Sequence, residues 1–93
     1  MGAVLLIDSL PTLSGPLAEA LANAGHDVTV EHDGQAGLDR ARSKAYDLIA
    51  LDLLTSGIHG FELIQRLRTG FSTLRTPIVA YTDKVYPSDQ REA

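Results

Sequence analysis

The stretch IALDLLTSGIHGFEL (residues 49–63) decides the fold, because it holds a strand, a carboxylate and a glycine-containing loop in close succession. The apolar residues 48–51 lead directly into Asp52, and the chain breaks soon afterwards at Gly57 and Gly60. A carboxylate that is buried without partners is costly. Asp52 therefore lies at the mouth of the strand, facing water or a cation, or it merely starts the next turn.

Apolar runs elsewhere in the chain predict three more strands. A continuous run of the kind found in strands buried on both faces occurs at residues 3–7, in addition to the strand over residues 47–52 that ends in Asp52. Residues 27–32 alternate between apolar and polar, which predicts a strand near a sheet edge, and residues 77–82 form a fourth strand.

Apolar residues at helical spacing fill the segments between these strands. The first helix is expected over residues 14–24, with Ser14 as its N-cap and Pro16 in its first turn. Asp33 is placed to cap the second helix. The remaining helices are expected at residues 35–43, 60–69 and, at the end of the chain, 87–92.

Strands that alternate with helices are the signature of a parallel sheet covered by helices on both faces. Three of the predicted strands end in a polar residue, namely Asp8, Asp52 and Thr82. A parallel sheet gathers such residues at one rim, where ligands bind. Two carboxylates and a hydroxyl at one rim suit phosphoryl transfer with a divalent cation. Taken singly, each residue also fits an ordinary structural role as a turn starter, helix cap or strand former.

Composition restricts the class of protein. The chain has 93 residues, enough for one small domain, and its formal net charge of −4 argues against nucleic acid or an anionic membrane as a direct partner. It contains no cysteine, which excludes disulfides and thiolate chemistry. No apolar run approaches the ~20 residues of a membrane span, and the N-terminus lacks a signal-peptide pattern. A cytoplasmic protein is therefore expected.

The chain resembles the receiver domain of bacterial two-component response regulators, the CheY-like family with a flavodoxin-like fold. The resemblance rests on LLIDS at residues 5–9, DLIALDLLTSGIHGFEL at residues 47–63 and PIVAYT at residues 77–82. It implies that Asp52 is the phosphoacceptor, that Asp8 is the first acid of the family's acidic pair, and that Thr82 is the switch hydroxyl.

The same resemblance implies a cofactor and a partner. The cofactor is Mg²⁺, held by Asp8, Asp52 and the backbone carbonyl of Leu54. The partner is a sensor histidine kinase or a phosphotransfer protein that donates the phosphoryl group. Such a domain is a phosphoacceptor switch rather than a conventional enzyme, since it catalyses only its own phosphorylation and dephosphorylation.

Two residues at the expected site depart from the family pattern. Ser9 stands where the family has its second acid, and a neutral hydroxyl is a poor ligand for a hard cation. Mg²⁺ binding is therefore expected to be weak. Asp83 follows Thr82 where the family prefers a small residue, and its charge would repel a phosphoryl group unless it points away or joins the metal.

Other polar and aromatic residues have ordinary structural interpretations. Lys84 is interpreted as a solvated loop residue, and Tyr81 and Tyr86 as packing residues rather than switches. The three histidines have no metal-ligand spacing and are interpreted as surface or loop residues: His26, His32 and His59.

The predicted fold is a doubly wound parallel sheet with strand order 2-1-3-4. It forms a single receiver-like domain over residues 1–93 that is truncated at its C-terminus and lacks the family's fifth strand, with its lysine, and fifth helix. The fourth strand then becomes an edge, and its apolar residues 78–80 predict self-association through that edge.

Three functions remain open from the sequence. The first is a receiver that accepts a phosphoryl group on Asp52. The second is a degenerate pseudo-receiver that acts as a phosphorylation-independent interaction module, which Ser9 and the missing lysine favour. The third is a phosphatase with an Asp nucleophile, which is disfavoured because Leu54 occupies the position of the second Asp that such enzymes use.

Overall fold

The computed structural model of the chain describes residues 2–8, 11–53, 58, 60–70, 73 and 75–81, with the backbone alone for residues 11–14. Within this part of the chain, four strands alternate with three helices. In chain order they are β1 (Ala3–Ile7), α1 (Pro11–Asn23), β2 (Asp27–Glu31), α2 (Gly34–Ser43), β3 (Leu48–Asp52), α3 (Gly60–Thr69) and β4 (Ile78–Tyr81).

The four strands form one parallel sheet in the order β2-β1-β3-β4, which confirms the predicted flavodoxin-like topology. The register places Leu6 opposite both Val30 and Ala50, and Ala50 opposite Val79. β1 and β3 are the interior strands, which explains why their sequences are apolar without alternation. The carboxyl ends of all four strands lie at the same edge of the sheet.

Two hydrophobic clusters cover the two faces of the sheet. On one face, α2 and α3 pack against β1 and β3 through fully buried side chains, which are Leu5, Ile7, Leu38, Ile49, Leu51, Leu63 and Leu67. Each such side chain contributes roughly 1.5–3 kcal/mol on burial. On the other face, α1 packs against a smaller cluster built on Val4, Leu6 and Ala50. The site at the strand ends is thus supported by a core on each face.

The helix boundaries match the sequence predictions at α2 and α3 and differ at α1. The Asp33 carboxylate accepts hydrogen bonds from the backbone N–H groups of Gln35 and Ala36, which confirms it as the N-cap of α2. The prediction that α1 begins after a Ser14 cap is wrong, because the helix already begins at Pro11. Proline suits the first helical position, where its missing N–H leaves no bond unmade.

The strands are slightly shorter than predicted. β2 and β3 each span one residue less than the predicted ranges 27–32 and 47–52. The end of the fourth predicted strand at Thr82 and the predicted helix at residues 87–92 lie outside the described residues. No helix in the described part of the chain has the length and hydropathy needed to cross a membrane.

Candidate functional site

Asp8 and Asp52 lie side by side at the carboxyl edge of the sheet. Asp8 directly follows Ile7, the last residue of β1, and Ile7 is the register partner of Leu51, which directly precedes Asp52. Both carboxylates are buried, with 1% and 2% of their residue surfaces exposed. The structure therefore brings together two of the residues that the sequence predicts for the site.

The backbone of Asp8 is anchored on both sides. Its N–H donates to the carbonyl oxygen of Glu31 at 2.9 Å, which extends the pairing of β1 with β2 by one residue. Its carbonyl oxygen accepts a hydrogen bond from Nδ1 of His32 at 2.8 Å. His32 has an exposed ring, as predicted for a surface residue, but it contributes to the position of Asp8.

The side chain of Asp8 is bound by a residue from the far side of the sheet. The Tyr81 hydroxyl donates a hydrogen bond to Oδ2 of Asp8 at 2.7 Å. The prediction that Tyr81 is a packing residue is confirmed, because its side chain packs against the cluster of Val4, Leu6 and Ala50, but the prediction missed the hydrogen bond that its hydroxyl makes. The available sequence signal was its place at a strand end, directly before Thr82.

Leu53, which follows Asp52, is hydrogen-bonded both to β4 and to the first residue of α3. The Leu53 N–H donates to the Tyr81 carbonyl oxygen at 2.8 Å, and the Gly60 N–H donates to the Leu53 carbonyl oxygen at 3.1 Å. A Cβ at position 60 would lie 2.5 Å from that same carbonyl oxygen, so a side chain cannot be accommodated there without movement of the backbone. This close approach explains the second glycine of GIHGFEL.

The remaining predicted site residues, Ser9, Leu54 and Thr82, lie outside the described residues, as do Asp83 and Lys84. Among the described residues, no group of three or more His, Cys, Asp and Glu side chains is placed to hold a metal ion. The two buried carboxylates are hard oxygen donors of the type that Mg²⁺ binds, often through only one or two carboxylates. The donor chemistry of Asp8 and Asp52 therefore fits a magnesium ion.

Comparison with known proteins identifies close relatives of the sequence. The model of the "Response regulator receiver domain" family matches residues 4–93. The response regulator ArlR of Staphylococcus haemolyticus is 39% identical over 84 residues, and that of Staphylococcus aureus strain Mu50 is 38% identical over the same length. Each match covers 90% of this chain and 37% of the relative. The chain thus spans little more than a third of these relatives.

Solved structures share the fold. The chemotaxis response regulator CheY4 of Vibrio cholerae superimposes with a TM-score of 0.86 at 27% identity, over 99% of this chain and 77% of that protein. The receiver domain of the sensor histidine kinase PA1611 from Pseudomonas aeruginosa gives a TM-score of 0.85 at 24% identity, over 97% of this chain and 74% of that domain. The second likeness is a likeness of fold alone.

Proposed function

The chain belongs to the response regulator receiver domain family of two-component signalling, and on this basis we propose that Asp52 accepts a phosphoryl group from a phosphohistidine. The observation that carries the proposal is the place of Asp52. It is a buried carboxylate at the carboxyl end of an interior parallel strand, beside the second buried carboxylate, Asp8. Ligands of open parallel sheets bind at this edge.

The proposed reaction uses Asp52 as a nucleophile. A carboxylate oxygen attacks the phosphorus atom of the donor, the P–N bond breaks, an acyl phosphate forms, and the histidine imidazole leaves and takes up a proton. The donor is a sensor histidine kinase or a phosphotransfer protein. A change at the Thr82 hydroxyl on phosphorylation then alters the binding of a partner.

The two carboxylates would also hold the cation that this chemistry needs. Asp8, Asp52 and the carbonyl oxygen of Leu54 are the proposed magnesium ligands, and the PA1611 receiver domain was crystallised with a magnesium ion in its active-site cleft. When bound, Mg²⁺ supplies positive charge that offsets the negative charge of the transferred phosphoryl group. Because Ser9 stands where the family has its second acid, we expect this chain to bind Mg²⁺ with low affinity.

A second candidate function is a pseudo-receiver that binds partners without phosphorylation. The neutral Ser9 at the position of the family's second acid favours it. In this alternative the fold is retained as an interaction surface. The two functions differ in whether Asp52 reacts.

Intact mass measurement after treatment with acetyl phosphate and Mg²⁺ distinguishes these functions. The receiver function predicts one phosphoryl adduct that is lost in Asp52→Asn and retained in Asp39→Asn, a control at an exposed carboxylate on α2. An adduct that persists in Asp52→Asn would overturn the assignment. A wild-type chain that gains no adduct would favour the pseudo-receiver.

A further inference from the structure

Tyr81 makes a contact that packing alone does not require. Tyr81 on β4 is the register partner of Asp52 on β3. The Tyr81 hydroxyl nevertheless reaches past β3 to Asp8, which directly follows β1. Neighbouring strands lie about 4.8 Å apart, so β4 and β1 are separated by roughly 9.6 Å at this edge. The tyrosine side chain therefore spans the end of β3, at the level of Asp52, to reach Asp8.

The three side chains share one face of the sheet. Paired residues of parallel strands project to the same side, and successive residues alternate between sides. Ala50 and Tyr81 belong to the cluster on the α1 face, and Asp52 lies two residues after Ala50. Asp52, Tyr81 and Asp8 therefore occupy neighbouring positions on that face, with Asp52 in the middle.

The hydrogen bond fixes the orientation of the Asp8 carboxylate. The backbone N–H and carbonyl groups of Asp8 are held by Glu31 and His32, and the Tyr81 hydroxyl adds a contact to the carboxylate itself. The Tyr81 hydroxyl donates to Oδ2, and the tyrosine side chain packs against the cluster of Val4, Leu6 and Ala50. A packed ring presents its hydroxyl at a defined place, which in turn restricts the carboxylate.

We propose that Tyr81 is a positioning residue of the acidic site, whose hydroxyl holds Asp8 in the orientation that binds the cation shared with Asp52. The inference rests on the proposed function, because it concerns the same magnesium site. Ligating carboxylates depend on such hydrogen bonds, and loss of an outer partner typically weakens metal binding by ~10–100-fold. Because Ser9 is a poor ligand, Mg²⁺ binding depends more strongly on the orientation of Asp8.

Calorimetric titration of the full chain with Mg²⁺ tests the proposal. Tyr81→Phe removes the hydroxyl and keeps the ring, and it should weaken Mg²⁺ binding by about 10-fold or more relative to wild type. The matched control is Tyr46→Phe. Tyr46 is buried, whereas Tyr81 is half-buried, and Tyr46 packs in the cluster on the opposite face. Its hydroxyl has no hydrogen-bond partner in the described structure. That variant should bind Mg²⁺ as the wild type does.

The outcomes separate this inference from the function on which it rests. A wild type that binds Mg²⁺ together with a Tyr81→Phe variant of equal or higher affinity overturns the positioning role and leaves the receiver function intact. Equal losses in Tyr81→Phe and Tyr46→Phe also overturn it, because they indicate a general effect on the fold. A wild type that does not bind Mg²⁺ overturns the proposed magnesium site and the inference with it.

A measurement on the unmodified chain covers the case in which Tyr81→Phe does not fold. In NMR spectra of protein with ¹³C-labelled tyrosine, addition of Mg²⁺ should shift the ring signals of Tyr81, because the ion binds the carboxylate that its hydroxyl contacts. The signals of Tyr46 should stay in place. Saturation with Mg²⁺ that leaves the Tyr81 signals unmoved would contradict a direct link between the hydroxyl and the site.

Discussion

At the residue scale, Asp8 and Asp52 are the charged residues that the described part of the fold buries. Burial removes the hydration of both carboxylates, and two like charges at neighbouring positions repel each other. Two neighbouring buried carboxylates add little to the stability of the fold. They suit a site that binds a cation or a phosphoryl group. The Tyr81 hydroxyl offsets part of the cost by donating to Asp8.

The first prediction at this scale concerns Ser9. Replacing it with aspartate restores a carboxylate beside Asp8, so Ser9→Asp should tighten Mg²⁺ binding by at least ~10-fold. Calorimetric titration measures the affinity. Gln65→Glu, which adds the same charge at an exposed position on α3, should leave it unchanged. Equal affinity in wild type and Ser9→Asp would mean that the site is organised differently, for example through Asp83.

At the element scale, glycine and capping residues explain which boundaries could be predicted. α3 spans the predicted residues because Gly60 and Gly70 bracket its apolar pattern, and α2 follows its Asp33 cap. The start of α1 could not be predicted from pattern alone. Both Pro11 and Ser14 are acceptable residues at a helix N-terminus, and local propensity does not decide between them.

The glycines give a paired prediction on stability. Gly60→Ala forces a Cβ against the Leu53 carbonyl oxygen, which is rigid backbone, and should lower the free energy of unfolding by about 1–3 kcal/mol. Gly15 lies inside α1, and a Cβ added there would have nothing within 4 Å. Because alanine favours a helix more than glycine does, Gly15→Ala should raise the free energy of unfolding by roughly 0.5–1 kcal/mol. Urea denaturation followed by circular dichroism measures both changes. The argument fails if the two variants have the same effect.

At the scale of the whole molecule, topology could be predicted and long-range contacts could not. The alternation of strands and helices gave a parallel sheet, and the resemblance gave its strand order. The hydrogen bond between Tyr81 and Asp8 joins residues 73 positions apart and depends on the sheet register and on a tyrosine rotamer. Neither is encoded in a local pattern, which is why the sequence assigned Tyr81 to packing.

The position of β4 raises the question of what pairs with it. β4 has β3 on one side, and no other strand of the described chain lies on its opposite side. Val79 in the middle of β4 is 52% exposed, a large fraction for a valine in a strand. An edge strand that carries apolar residues and no charged residue is a template for pairing with another chain. We therefore expect this chain to self-associate through β4.

Light scattering on the isolated chain from micromolar to millimolar concentration tests this expectation. The apparent mass of the wild type should rise with concentration. Val79→Lys places a charge within the edge strand and should keep the chain monomeric over the same range. Gln65→Lys makes the same change in net charge at an exposed position on α3 and should associate as the wild type does. A wild type that stays monomeric throughout would instead indicate that β4 is covered within its own chain. Equal association of both lysine variants would mean that the chains associate through a surface other than β4.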